Sequence, residues 1–231
     1  MSRPAVMVLD DDEANLELLP YALSCEFPHL DIDPVLSPIE ALQQLEARDY
    51  GLLITDFRMP EMDGLTVLQK ARTIRPEISV VIMSSQFTIV QASLALDHGA
   101  FDVLPKRINR GELARIVELA LQTHHARRDV KSRQLIIQRL NDKIAALEAS
   151  LQPGKIRRSP PPPRMAAAVR SSRARTERSF LSVRESLQGL AQRAQVLNET
   201  LRQAEERLRA VLVEAQVRAL GRFESFSEIP R

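Results

Sequence analysis

Four short apolar runs each end in a residue type that handles phosphate or metal. Val6–Leu9 runs into Asp10, Asp11 and Asp12, and Leu52–Thr55 runs into Asp56. Val80–Met83 runs into Ser84, and Val103–Pro105 runs into Lys106. If these runs are parallel strands, their ends lie on one sheet edge and the side chains converge there. Carboxylates gathered this closely repel one another, and a hard, oxygen-seeking cation such as Mg²⁺ relieves the repulsion. A lysine and a hydroxyl beside them can hold phosphate oxygens while a carboxylate acts as nucleophile. The chemistry implied is formation of an aspartyl phosphate.

The elements that must position these residues are legible as a β-α alternation. Ala5–Leu9, Gly51–Thr55, Ile78–Met83 and Phe101–Leu104 are continuous apolar runs, as expected for strands buried on both faces. Leu30–Val35 alternates instead and contains Pro34, which costs a ladder hydrogen bond, so it is predicted as an edge strand. Helical patterns lie between them at Glu13–Cys25, Pro38–Ala47, Leu65–Arg75 and Ile89–His98. The expected fold class is α/β, a doubly wound five-stranded parallel sheet of flavodoxin-like type, extended by long α-helical coiled-coil segments.

Beyond residue 109 the periodicity changes to heptads. A first seam runs from Ile116 to Leu151, weak around Thr123–Arg133 and strong from Ile137. A helix over 109–151 is roughly 65 Å long at 1.5 Å per residue, too long to belong wholly to a globular domain. A second seam runs from Phe180 to Ala215 and breaks at Arg218 and Gly221. The expected organisation is a globular α/β domain over 1–122, a coiled-coil extension over 123–151 and a basic Pro-rich linker over 152–176. A second coiled-coil helix over 177–223 and a tail over 224–231 complete it. The linker is long enough for the second helix either to fold back on the first or to extend away, and the sequence leaves both open.

Charge divides the chain the same way. Residues 1–122 carry 10 Lys/Arg and 19 Asp/Glu, a net of −9, whereas residues 123–231 carry 22 and 11, a net of +11. Cys25 is alone, so no disulfide forms within the chain, and a reducing, cytoplasmic setting is expected. No apolar run approaches the ~20 residues that span a bilayer, so no membrane span is expected.

The segments ending in Asp10-Asp11-Asp12, the stretch Asp56-Phe-Arg-Met-Pro-Glu-Met-Asp-Gly64, Ser84 and Leu-Pro-Lys106 together resemble the receiver domain of two-component response regulators. The resemblance covers residues 4–121 and lies nearest the nitrogen-regulatory class. It implies phosphorylation on Asp56, with Asp56, Ser84 and Lys106 as the catalytic set. It implies Mg²⁺ as cofactor, held by Asp11 and Asp56 directly, by Asp10 through water and by the backbone carbonyl of Arg58. A sensor histidine kinase is the implied partner. The implied chemistry is limited to Mg-dependent self-phosphorylation from a donor and slow self-dephosphorylation, so the chain is not otherwise read as an enzyme. Two positions depart from the pattern. Val103 stands where receivers usually carry an aromatic, with Phe101 two residues earlier expected on the same strand face, and Arg107 follows the lysine in place of proline.

Each feature also has a plainer reading. Asp63, before Gly64 and a helical run, is better read as a helix cap than as a ligand. His124 and His125 read as solvated helix, not as phosphodonors, and Cys25 as a small buried residue. The basic linker, with Arg157, Arg158, Arg170, Arg173 and Arg175, is preferred as a solvated connector over a nucleic-acid contact, since no aromatics interleave it. The preferred function is a response regulator with coiled-coil homodimerisation and an unidentified protein target. The alternatives are a constitutive coiled-coil scaffold that uses the receiver for docking, and a nucleic-acid-binding regulator.

Overall fold

The computed structural model describes residues 4–151 and 166–227. The chain separates into two compact units, Met1–Asp129 with Glu206–Arg231, and Val130–Glu205. In the first unit, strands β1 (Ala5–Leu9), β2 (Asp31–Val35), β3 (Leu52–Asp56), β4 (Ser79–Ser84) and β5 (Asp102–Pro105) alternate with helices. These are α1 (Glu13–Glu26), α2 (Pro38–Ala47), α3 (Gly64–Ile74), α4 (Ile89–Asp97) and the start of α5 (Arg110–Leu151). The sheet is wholly parallel in the order β2-β1-β3-β4-β5, the doubly wound arrangement expected from the alternation.

Burial explains the composition of the strands. Every residue of β1, β3 and β4 is buried, because helices cover both faces. Alternation along β1 sends Ala5, Met7 and Leu9 toward α2, α3 and α4, and Val6 and Val8 toward α1 and α5. β2 is an edge strand and tolerates Pro34, as the alternating pattern predicted. The first four helices each begin on an oxygen-bearing side chain. Asp12, Ser37, Asp63 and Thr88 accept a backbone N–H at the N-caps of α1, α2, α3 and α4 respectively.

Three expectations are corrected. Cys25 is exposed on α1, not buried. Phe101 does not share a face with Val103: β5 begins only at Asp102, and Phe101 packs with Val81, Met83 and Leu104 while Val103 packs with Val80 and Ile82. His124 is buried where α5 passes beneath the sheet. Its Nδ1 lies 3.0 Å from the Glu77 carbonyl oxygen, an arrangement that places a proton on Nδ1. Beside it, Arg127 donates to the Ile78 carbonyl and Ser79 Oγ donates to the Ala120 carbonyl. This stretch of α5 is therefore part of the globular core, which is why its heptad pattern is weak.

Burial holds the His124 imidazole below the ordinary histidine value; its hydrogen bond to Glu77 opposes that shift without cancelling it. A group whose folded pKa is depressed supplies stability above its unfolded value, near 6.5, and loses it as pH falls through the folded value. The urea midpoint of the full chain is thus expected to fall on acidification below about 6.5, and His124→Gln should flatten that slope. A variant with the wild-type slope would show that His124 does not carry it.

In the second unit α5 and α6 (Ala166–Ser227) lie alongside each other. Arg133 donates to the Thr200 carbonyl and Gln134 to Glu205 Oε1, and Ile137 and Ala194 are buried. Of the two arrangements left open by the sequence, the chain adopts the folded-back one. α6 already begins at Ala166, within the stretch read as linker. Arg157 and Arg158 fall outside the described residues. Among the described residues, no helix is long and apolar enough to cross a membrane.

Candidate functional site

The ends of β1, β3 and β5 bring three of the expected side chains into direct contact. Lys106 Nζ lies 2.8 Å from Asp10 Oδ2 and 2.8 Å from Asp56 Oδ1. Asp10 is placed by the last turn out of β1. Its Oδ1 accepts from the Asp12 backbone N–H at 3.0 Å and from Asn15 Nδ2 at 3.1 Å. The acidic run thus divides its labour: Asp10 turns into the site, Asp12 caps α1 and Asp11 stays exposed between them.

Asp56 is the final residue of β3, paired in register with Met83 of β4. Its Oδ2 accepts from the Arg58 backbone N–H at 2.8 Å, so each carboxylate oxygen has a donor. Thr55 Oγ1 donates to the Asp56 carbonyl, tying off the backbone at the same point. Gly64 closes the loop by donating its N–H to the Phe57 carbonyl at 2.9 Å. A Cβ there would sit 2.3 Å from the Asp56 carbonyl oxygen and 3.1 Å from Phe57 Cα. Neither atom can swing away, so Gly64→Ala is expected to shift the Asp56 loop and cost roughly 1–3 kcal/mol in a urea titration. An unchanged midpoint would mean that the loop relaxes freely.

Ser84 ends β4, and its hydroxyl is turned onto its own loop. It donates to the Gln86 carbonyl at 3.1 Å and accepts from the Gln86 N–H at 3.3 Å. It reaches the same strand edge without touching Asp56 or Lys106 in this arrangement. Lys106 is fixed from the backbone side, where its N–H donates to the Ser84 carbonyl at 2.8 Å. Burial opposes its positive charge, but hydrogen bonds to Asp10 and Asp56 and their negative charge outweigh burial, so its pKa is raised above the ordinary lysine value.

Sequence reasoning missed Asn15. Its signal is position: one turn into α1 from Asp10, it orients the carboxylate that Lys106 pairs with. Asp63, by contrast, is a cap as expected, accepting from the Thr66 N–H at 2.8 Å.

Asp10 and Asp56 offer only carboxylate oxygens, with Asp11 adjacent, which is the donor chemistry a hard divalent ion takes. In this arrangement Lys106 stands between the first two and supplies the positive charge. Among the described residues, no three His, Cys, Asp or Glu side chains are already gathered as a metal site.

Residues 6–118 match the family described as the response regulator receiver domain. That stretch of the chain is a receiver domain of the two-component response-regulator family. The chain is similar to the DNA-binding transcriptional regulator NtrC of Azospirillum brasilense, 32% identical over 54% of this chain and 25% of that protein. NtrC of Escherichia coli K12 is 32% identical over 58% of this chain and 28% of its own length. The chain therefore spans well under half the length of the curated relatives it matches. Among solved structures, the signal receiver domain of an HD domain-containing protein from Pseudomonas fluorescens Pf-5 matches 56% of this chain and 94% of its own, at 25% identity and a TM-score of 0.52. A CheY-like response regulator receiver domain protein from Methanospirillum hungatei JF-1 shares the fold, with a TM-score of 0.50 at 23% identity over 54% of this chain and 98% of its own.

Proposed function

We propose that this receiver accepts a phosphoryl group on Asp56 from a sensor histidine kinase and passes the signal to the helical region. The observation that carries the reading is the Lys106 ammonium held 2.8 Å from both Asp10 and Asp56 at the carboxyl edge of the sheet. An Asp56 oxygen attacks the phosphorus of the donor. The new O–P bond forms as the bond to the donor's leaving atom breaks, and that atom departs with the electron pair. Lys106, already within hydrogen-bond reach of Asp56, is positioned to pair with an oxygen of the incoming group. Ser84, one residue from the same edge, supplies a hydroxyl once it turns from Gln86. Mg²⁺ fits the oxygen donors of Asp10, Asp11 and Asp56 with the Arg58 carbonyl, and when bound it supplies charge neutralisation for phosphoryl transfer.

The output is proposed to be homodimerisation through the α5–α6 region and binding of a protein target. Exposed apolar side chains on these helices, including Leu135, Ile136 and Val196, support an association role.

Incubation of the full chain with a small phosphodonor and Mg²⁺ is expected to add one phosphoryl group per chain, read by intact mass. Chelating the metal should reduce the addition to background. Light scattering of the same protein is expected to give the mass of a dimer. Labelling that ignores chelation would remove the metal from the scheme, and a monomer at every concentration would remove the dimer.

A further inference from the structure

The heptad seam of α6, read from sequence as ending near Ala215, continues to a polar residue. Leu208, Leu212, Ala215, Ala219 and Arg222 follow one another at spacings of four and three, and so share one helix face. That face is the covered one. Ala215 and Ala219 are buried, whereas Val213, Val217 and Leu220 on other faces are exposed. Ala215 packs into the cluster containing Phe101, Leu113 and Ile116, and Ala219 into the one containing Leu96 and Val103.

At the end of the stripe, Arg222 reaches into the receiver. One terminal nitrogen of its guanidinium donates to Asp102, the first residue of β5, and the other lies 3.3 Å from Glu112 on the first turn of α5. The Asp102 side chain is only 4% exposed and that of Arg222 13%. The same Asp102 oxygen also accepts the Val103 N–H at 2.7 Å. A carboxylate taken this far from water needs a cation with it, and α6 delivers one. The apolar part of the contact is Ala215 and Ala219 with the partly buried Leu212, and the buried Arg222–Asp102 pair sets its register.

We propose that residues 206–222 act as a latch: the C-terminal part of α6 occupies a helix-docking surface on the β5–α5 face of its own receiver, keyed by Arg222 on Asp102 and Glu112. The surface fits one helix, presenting Leu212, Ala215 and Ala219 at spacings of three and four and an arginine one turn beyond them. The latch covers β5, the strand that leads directly into Lys106, and neutralises a receiver carboxylate that has no other cation within bonding distance among the described residues. It stands independently of whether Asp56 is phosphorylated.

Amide hydrogen exchange on the full chain tests it. In the wild type, segments 212–222 and 112–121 are expected to be protected. Arg222→Ala should raise exchange in both on the order of ten-fold or more, with β1 and β3 unchanged. Wild-type protection in that variant overturns the proposal. Should Arg222→Ala also loosen β1 and β3 through the stranded Asp102, the double variant Asp102→Asn with Arg222→Ala removes the unpaired charge. That variant is expected to recover strand protection while the helix stays loose, and a protected helix there overturns the latch. Protection of 212–222 that persists on dilution supports docking within one chain. Protection that is lost on dilution assigns the face to the helix of a second copy and overturns the proposal as stated.

Discussion

Asp56→Ala is expected to abolish phosphoryl labelling by a small phosphodonor, leaving intact mass unchanged under conditions that modify the wild type. No neighbouring carboxylate can take over. Asp10 spends one oxygen on the Asp12 N–H and Asn15 and the other on Lys106, and it sits at the end of a different strand. Asp11 is exposed rather than held against the ammonium. The substitution also leaves Lys106 paired with Asp10, so the fold is expected to survive and circular dichroism should match the wild type. Equal labelling of the two proteins would move the acceptor elsewhere.

The second large effect is on stability. Lys106→Ala strands two carboxylates whose side chains are only 6% and 8% exposed, one on each side of the missing ammonium. Removing one partner of a buried ion pair costs about 3–5 kcal/mol, because the remaining charge is left desolvated. A loss of about 3 kcal/mol is expected from urea unfolding in metal-free buffer. Mg²⁺ should return part of that loss in the variant, since a divalent ion replaces the missing positive charge. Lys106→Arg keeps the charge and should lose much less. A variant as stable as the wild type would mean that the two carboxylates need no cation between them, and would contradict the role given to Lys106.

The strand ends were legible in the sequence because a parallel sheet covered on both faces demands unbroken apolar runs. A charged residue terminating such a run then marks the sheet edge. Asp10, Asp56 and Lys106 could be placed on one edge for that reason. Division of labour within the acidic run was not legible, because Asp10, Asp11 and Asp12 are equally good caps and equally good ligands until backbone direction separates them. Asn15 was invisible for a related reason: a single amide on a helix surface carries no pattern. The side of the sheet that Phe101 faces depended on where β5 starts, and alternation cannot be counted back through a bend. His124 was misread by the opposite route, and Arg222 drew no reading at all. Both are polar residues on helices with a weak or ending heptad, which reads as solvent exposure. In the fold the first lies under the sheet and the second is drawn in by Asp102. Pattern reports the average face of a helix, whereas burial of a single polar group depends on a partner brought from elsewhere in the chain.

Locating the phosphoryl group and identifying its bond decides whether Asp56 is the acceptor. The wild-type chain, treated with phosphodonor and Mg²⁺ and then digested, should carry one phosphoryl group on the peptide containing Asp56. Hydroxylamine should remove it, as expected of an acyl phosphate. A phosphoryl group that resists hydroxylamine, or one found on Ser84 or His124, would contradict the assignment of Asp56 as acceptor.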